Sequence, residues 1–543
     1  IKLKITLLKQ MSEKIYQLVG GNSYFQYFIL MFIFISQFNT AINILMPIFI
    51  NNYQDVYCVL PKNQTNQVFT EHRNQFKAID NETGFLIIDS SRCRLTNISS
   101  ICSEIFVKKY PMTSTIRSQF KLYCEYHALS SFATSMFMLG ICLGSVFGGV
   151  FSDTFGRIIG CGLSYFMISV FSTVAAVSPW YTLHALGRLF TGFAVSVSFV
   201  SNSGMALEIV EISQRTNFGF YWSLGYDIGY LLLVLLAFFI RDHFKLQLAC
   251  CCISYVSLIF PFFYKESFRW LLATKKYKKA KKVMMHIAKF NRKSVTENQI
   301  DKYIEIFEEE RLRSVSHRVS IKEVFKYKVV LVNLLVLWFI FFSCSFSYYT
   351  FLLGSSKISD EIFTAALISA VGSLVSRSIY MFLCKRLGRV TILLSLQLGV
   401  TALFIASIIL KYIYGGKNII TTVLLMIAIS VSGTNFGFMW IYGGEAFPTV
   451  IRATSVSIGS ACARVSGMIA SQMEWVFEIA PNVLPIIGMT MAMFGSLCTF
   501  FLLPETFKRP SSDFLSQAEK NFIEWRQPWR KGSKKIIDTE IKV

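Results

Sequence analysis

The chain has 543 residues, is 53% hydrophobic and only 16% charged, and carries a formal net charge of +22 with a mean hydropathy of +0.48. This excludes an ordinary soluble globule, whose surface needs more charge. A basic excess on one face of a membrane also makes nucleic acid unnecessary as a partner.

Residues 1–24 read as a cytoplasmic N-terminus, and since the chain opens on Ile1, Met11 is the expected start. No cleavable signal peptide is expected, because the first apolar run is too long and lacks a small-residue cleavage site. Apolar runs long enough to cross a bilayer lie at roughly 25–50, 128–150, 159–178, 181–203, 217–240, 244–264, 328–352, 361–383, 391–411, 418–442, 453–477 and 483–503. They lack the period-two alternation of barrel strands. The long polar loop at 51–126 carries glycosylation sequons at Asn63, Asn81 and Asn97, together with Cys58, Cys93, Cys102 and Cys124. Sequons and an even set of cysteines belong on the lumenal or extracellular side; four cysteines allow three pairings. The other nine cysteines fall in or beside apolar runs, as inert small hydrophobes do. The linker at 265–326 opens with Lys275, Lys276, Lys278, Lys279, Lys281 and Lys282, which marks the cytoplasmic side. Five runs separate the two loops, an odd number, so the assignments agree. The expected units are an N-terminal six-helix half at 25–264, this linker, a C-terminal six-helix half at 327–506 and a charged cytoplasmic tail at 507–543 without apolar period.

Three charged signatures occur twice in the same order. Gly156-Arg157 recurs as Gly388-Arg389, 232 positions later; Glu208 and Arg215 recur as Glu445 and Arg452, at 237; Glu266-Ser267-Phe268-Arg269 recurs as Glu505-Thr506-Phe507-Lys508, at 239. Such a series is the mark of internal duplication, and two six-helix repeats with a site between them are the layout of a transporter. In the short link after the second run, Asp153 and Arg157 form a charged latch beside Gly156. With Glu208, Arg215, Glu266, Arg269, Gly388, Arg389, Glu445, Arg452 and Glu505, it predicts an intracellular gate of ion pairs that breaks when the cavity opens inward.

These features resemble the major facilitator superfamily, and within it solute carrier family 22, the organic-ion transporters. The resemblance runs from about Leu18 to Lys508. It is carried by Leu122-Tyr123-Cys124, Asp153 to Arg157, Glu266-Ser267-Phe268-Arg269-Trp270-Leu271, Glu445-Ala446-Phe447-Pro448-Thr449-Val450-Ile451-Arg452 and Leu503-Pro504-Glu505-Thr506. Thr154, Ile158 and Ile159 stand where the family has basic residues, Phe268 where it has proline, and Lys385 where an acid would stand. The implied fold is an all-α membrane protein of twelve transmembrane helices in two pseudo-symmetric halves, multi-pass in the plasma membrane with both termini cytoplasmic.

Intramembrane charges are costly, hence functional candidates. Arg377 and Arg464 fall inside the eighth and eleventh runs, where guanidinium groups attract carboxylate or sulfate. Both positions resemble the paired basic sites of the family's organic-anion branch, and Tyr348 and Tyr349 resemble its tyrosine pair. Tyr230 and Tyr442 are further candidates to hold an apolar substrate body. Asp227 could bind a cation, couple to protons or pair with an arginine; Arg377 and Arg464 could instead pair with Asp227, Glu474 or Glu478. Asn43 and Asn202 read as helix glue.

No paired-His motif, acid dyad, nucleophile–base spacing or nucleotide loop is present, so an enzyme or ATP-driven pump is not expected, and no cofactor or metal. The function expected is alternating-access transport of small amphipathic organic anions, with exchange against an intracellular dicarboxylate implied by the resemblance. An organic cation or carnitine-like zwitterion carrier is the alternative, and a ligand sensor that transports nothing is a second. The bilayer is the remaining partner.

Overall fold

In the computed structural model the described residues are 19–20, 23–52, 56–59, 76–79, 86–88, 102, 104–107, 112–122, 124–211, 214–314, 321–353, 361–414, 419–448, 451–473, 483–507 and 515–524. In hydrocarbon no water satisfies backbone N–H and C=O groups, so apolar runs of this length close their own hydrogen bonds as helices. The membrane helices are α1 (Tyr24–Leu45), α2 (Phe132–Phe155), α3 (Arg157–Val177), α4 (Tyr181–Ile209), α5 (Arg215–Phe239), α6 (His243–Val256), α7 (Lys328–Leu353), α8 (Ile362–Cys384), α9 (Arg389–Tyr414), α10 (Ile419–Ala446), α11 (Arg452–Gln472) and α12 (Val483–Leu502). Among the described residues, α1 to α10, some extended by their flanking turns, are long and apolar enough to cross a membrane by themselves. The α11 helix is too rich in Ser, Gly and Ala for that, and it is the helix that lines the centre.

Within the first half α4 packs against α2 and α3; within the second, α7 packs on α11 and α10 on α8 and α9. The halves meet through α2 on α11 and α5 on α8. The duplication exchanges these two interfaces, since α2 repeats as α8 and α5 as α11. The α2–α4 contact is a backbone contact. A Cβ on Gly140 would lie 2.0 Å from the Leu189 carbonyl oxygen, and one on Gly192 would lie 2.1 Å from that of Phe137.

The outer side is closed. Ser135 Oγ on α2 meets Ser471 Oγ on α11 at 2.6 Å, and Gln472 Nε2 donates to Ser135 Oγ at 2.5 Å. Phe363 of α8 stacks on Phe49 at 6.0 Å and meets Phe238 of α5 edge-on at 5.7 Å.

The outer loop contains structure that the sequence reading did not expect. Four strands, β1 (Val56–Val59), β2 (Phe76–Ile79), β3 (Leu86–Ile88) and β4 (Glu104–Val107), form an antiparallel sheet in the order β2-β3-β1-β4. Cys58 of β1 is bonded to Cys102 just before β4. Cys124 is also disulfide-bonded, while Cys93, Asn63, Asn81 and Asn97 lie outside the described residues. Ser114 of the loop donates to Asp242 Oδ2 at 2.7 Å at the α5–α6 turn.

The linker is helical at Phe268–Ala273, Tyr277–Phe290 and Glu297–Ser314. Asn291 ends the second of these, accepts from the Phe25 amide at 2.9 Å and donates to the Val19 carbonyl at 2.8 Å, so linker and α1 start share one face. The tail corrects an expectation. It is not without apolar period: Leu515–Glu524 is a helix that buries Leu515, Ala518 and Phe522, with Phe522 edge-on to Phe447 at 5.7 Å.

Gly140→Ala should lower thermal stability by about 1–3 kcal/mol, because the clashing atom belongs to a backbone. Gly149→Ala, where a Cβ meets nothing within 4 Å, should not. Unfolding of the purified protein in detergent reads both.

Candidate functional site

The duplicated signatures converge at the helix ends opposite the outer loop. Arg157 opens α3, donates from Nη2 to Glu208 Oε1 at the end of α4 (2.7 Å) and from Nη1 to Asp153 Oδ1 (2.5 Å). The Glu266 carboxylate sits on the N-terminus of α3, accepting from the Arg157 and Ile158 amides at 3.0 and 3.2 Å. Burial pushes the Glu266 carboxyl above its ordinary value, opposed by the amides of Ser267, Ile158 and Arg157. In the second half Arg389 opens α9 and donates from Nε to Glu445 Oε2 at 2.9 Å, while Glu505 accepts from the Arg389 and Val390 amides at 2.7 and 3.1 Å. Gly156, at φ +112°, and Gly388 leave room for these carboxylates; a Cβ would lie 2.6 Å from Glu266 Oε2 and 2.3 Å from Glu505 Oε2. Lys385, in the place of Asp153, leaves Arg389 Nη1 to donate to the Cys384 carbonyl instead.

Glu208 and Glu445 take the arginines that open α3 and α9, and each of these contacts lies within one half. Arg215 opens α5, but its side chain is outside the described residues. Arg452 donates from Nε to the Phe447 carbonyl at 3.2 Å, and Arg269, beside Glu266, is half-buried.

At the centre the structure joins Asp227 and Arg377. Arg377 Nε lies 2.7 Å from Asp227 Oδ2, and Nη2 donates to Oδ1 at 3.0 Å. The pair ties α5 to α8 across the halves, and Asp227 is 1% exposed. Arg464 is different. It is 8% exposed, donates from Nη1 to Tyr349 Oη at 3.3 Å, lies 6.0 Å from the Phe436 ring and has no carboxylate partner among the described residues. Tyr348 and Tyr349 are in ring contact at 5.1 Å, and Tyr226 borders both of them and Asp227. Tyr230 is buried beside Ser369 of α8. Tyr442 is the residue the structure removes from this group. It is fully buried in the core of the second half, and its hydroxyl donates to the Pro504 carbonyl at 2.9 Å.

Two cavities flank α10. One, of about 170 Å³, is lined by Thr40, Ser145, Ser196, Phe199, Trp440, Ser457, Ser460 and Arg464 among others. The other, of about 340 Å³, is lined by Asn217, Ser223, Arg377, Lys385, Arg389 and Phe507 among others, and all its charged residues are basic. Phe199 of α4 contacts Trp222 of α5 at 4.8 Å and Trp440 of α10 at 5.7 Å, an aromatic bridge between the halves. Among the described residues no group of three or more His, Cys, Asp or Glu could hold a metal ion.

Sequence reasoning missed Arg188 of α4. It is 3% exposed, donates from Nη2 to the Asn43 carbonyl at 2.9 Å and lies 4.2 Å from the Phe137 ring. Its signal was plain, since it is a charge inside the fourth apolar run.

A twelve-helix duplicated bundle with buried charges at the contact between its halves defines a membrane transporter of the major facilitator type. Residues 51–514 match the family described as "Sugar (and other) transporter", and the chain belongs to that family. It is 26% identical to the organic cation transporter protein of Drosophila melanogaster, over 80% of this chain and 79% of that protein. It is equally identical to mouse solute carrier family 22 member 6 (74% and 73%) and mouse organic anion transporter 3 (77% and 76%). Its fold is similar to that of the xylose transporter XylE from E. coli in a partially occluded inward open conformation, with a TM-score of 0.61 at 12% identity over 89% of this chain and 100% of that one.

Glu266→Ala should destabilise by about 1–3 kcal/mol, because it strands helix N-terminal amides in a partly buried position. Asp153→Asn, whose side chain is 69% exposed, should cost less than about 1 kcal/mol. Thermal unfolding of the two variants side by side checks the ranking.

Proposed function

We propose that this multi-pass membrane transporter carries small amphipathic organic anions across the plasma membrane, its termini in the cytosol, by rocking its halves about the central site. Arg464 carries this reading. By the offset of 237 that relates α5 to α11, Arg464 repeats the position of Asp227; by the offset of 232 that relates α2 to α8, Arg377 repeats that of Ser145. One interface therefore holds an acid facing a base. In the other, Arg464 and the Ser145 hydroxyl line one cavity with no carboxylate beside them among the described residues, outside which Glu474 and Glu478 lie. A substrate carboxylate or sulfonate supplies the missing partner, bound to Arg464 and the hydroxyls, with Trp440 and Phe199 against its apolar body. The names of two of the similar proteins, organic anion transporter 3 among them, agree with an organic ion as substrate, though the sign of charge differs between them. A cation at Asp227 is disfavoured because Arg377 already holds that carboxylate. Exchange against an intracellular dicarboxylate is the coupling the family resemblance implies, and the basic lining of the cavity at Arg377, Lys385 and Arg389 supports it.

The test is uptake in oocytes of a labelled aromatic monocarboxylate, carnitine and a quaternary ammonium ion. Carboxylate uptake should dominate. Arg464→Ala should reduce it at least about thirtyfold, as loss of a buried charged contact costs 2–5 kcal/mol, and Arg464→Lys should restore part of it. Cation uptake that survives Arg464→Ala would overturn the reading.

A further inference from the structure

Asp227 is the acidic side chain deepest in the membrane among the described residues. It stands twelve residues into α5, about 18 Å along the helix, whereas Asp153, Glu208 and Glu445 sit at helix ends. Among the described residues its cationic neighbour is Arg377. The other groups around it are tyrosines: Tyr226 and Tyr230 on its own helix, and Tyr348 and Tyr349 on α7. α1 packs against Gly225 and Gly229 of α5 through Phe34, Gln37, Phe38 and Ala41, none of which titrates. On α10 Gly437 admits Arg377 Nη1, and His243 of α6 is at the outer end of its helix.

Arg377 has two faces. One holds Asp227, and the other lines the 340 Å³ cavity whose further charged residues, Lys385 and Arg389, are basic. An anion that enters this cavity meets Arg377 as a competitor of Asp227. If the anion takes the guanidinium, Asp227 is left 1% exposed with no cation, a state that costs several kcal/mol unless the carboxylate is neutralised.

We infer that Asp227 is a proton-binding site, and that an anion engaging Arg377 is bound, and carried, together with one proton. The step balances: the Asp227–Arg377 contact breaks, the anion–Arg377 contact forms, and one proton from the bulk adds to the freed Asp227 carboxylate. Protein, anion and proton together gain no net charge. On the far side the anion leaves, Asp227 releases its proton and closes again on Arg377. This inference rests on the anion reading above but uses a different arginine.

The probe is naphthalene-2-sulfonate, which stays ionised between pH 5 and 8 and cannot itself deliver a proton. The full-length protein is reconstituted in liposomes that enclose a pH-sensitive dye. Uptake by the wild type should rise as external pH falls, by up to about tenfold per pH unit, and the lumen should acidify with each addition of sulfonate. Asp227→Asn, an isostere of the protonated acid, should lose both the pH slope and the acidification. Sulfonate uptake that is flat with pH and leaves the dye unchanged sinks the proton inference and leaves the anion reading standing. The same slope in Asp227→Asn also sinks it. A pH slope that persists while Arg464→Ala transports normally removes Arg464 as anchor but keeps the proton. No sulfonate uptake at any pH sinks both. Should Asp227→Asn fail to assemble, the dye signal of the wild type decides alone.

Discussion

A charge held in the membrane interior must be matched, and the centre of this protein is organised by how each charge is matched. Asp227 and Arg377 match each other across the α5–α8 interface, with two contacts at 2.7 and 3.0 Å. Removing one partner of such a pair leaves the other buried and alone, at a cost of about 3–5 kcal/mol. The pair therefore holds the two halves together at one of their two symmetry-related interfaces. At the other, α2 against α11, the acid's place is taken by Arg464 and the base's place by Ser145. The two interfaces are related by the duplication, and one holds an acid–base pair while the other holds Arg464 and Ser145.

The charges at the helix ends do different work. Each half gathers an arginine that opens a helix, a glutamate from the end of the next helix and a second glutamate on the helix N-terminus. Every one of those contacts stays inside its half, so they keep each six-helix unit rigid while it moves. Relative motion of the halves must instead break contacts that cross between them: Asp227–Arg377, the Phe199–Trp440 bridge, and the Ser135–Ser471 closure on the outer side. The two cavities lie on either side of α10, and the aromatic bridge lies between their linings, since Trp440 faces one and Ile441 the other.

Much of this was legible in the sequence because duplication leaves a record that can be counted. The repeated Gly-Arg, Glu-x6-Arg and Glu-x-Phe signatures announced the halves, and charges inside apolar runs announced Arg377, Arg464 and Asp227. Their partners were not legible. Glu208 also binds Arg157, fifty-one positions away, a contact no local spacing shows, because helix ends meet in space and not in sequence. Tyr442 looked like a cavity residue for its place before Glu445, but the side of α10 it occupies is set by packing against the second half. The outer sheet escaped notice because its strands have three or four residues, too few for a period to show. The tail helix escaped because its apolar residues, at i, i+3 and i+7, are sparse among charges.

Arg188 completes the electrostatic account. It lies about 10 Å into α4 from the outer end, and a backbone carbonyl and the face of Phe137 are what meets its guanidinium. These contacts satisfy its hydrogen bonding without cancelling its charge. The membrane interior of the described residues thus holds three arginines, Arg188, Arg377 and Arg464, against one aspartate, Asp227. That imbalance leaves two positive charges uncompensated in a medium of low dielectric, where a charge is felt over a longer range than in water. On the proposed reading a cation finds Asp227, the one interior carboxylate among the described residues, already held by Arg377. An anion meets attraction from both halves. The proposed preference for anions draws on this whole interior, and Arg464 is the arginine there that meets a tyrosine hydroxyl and no carboxylate among the described residues.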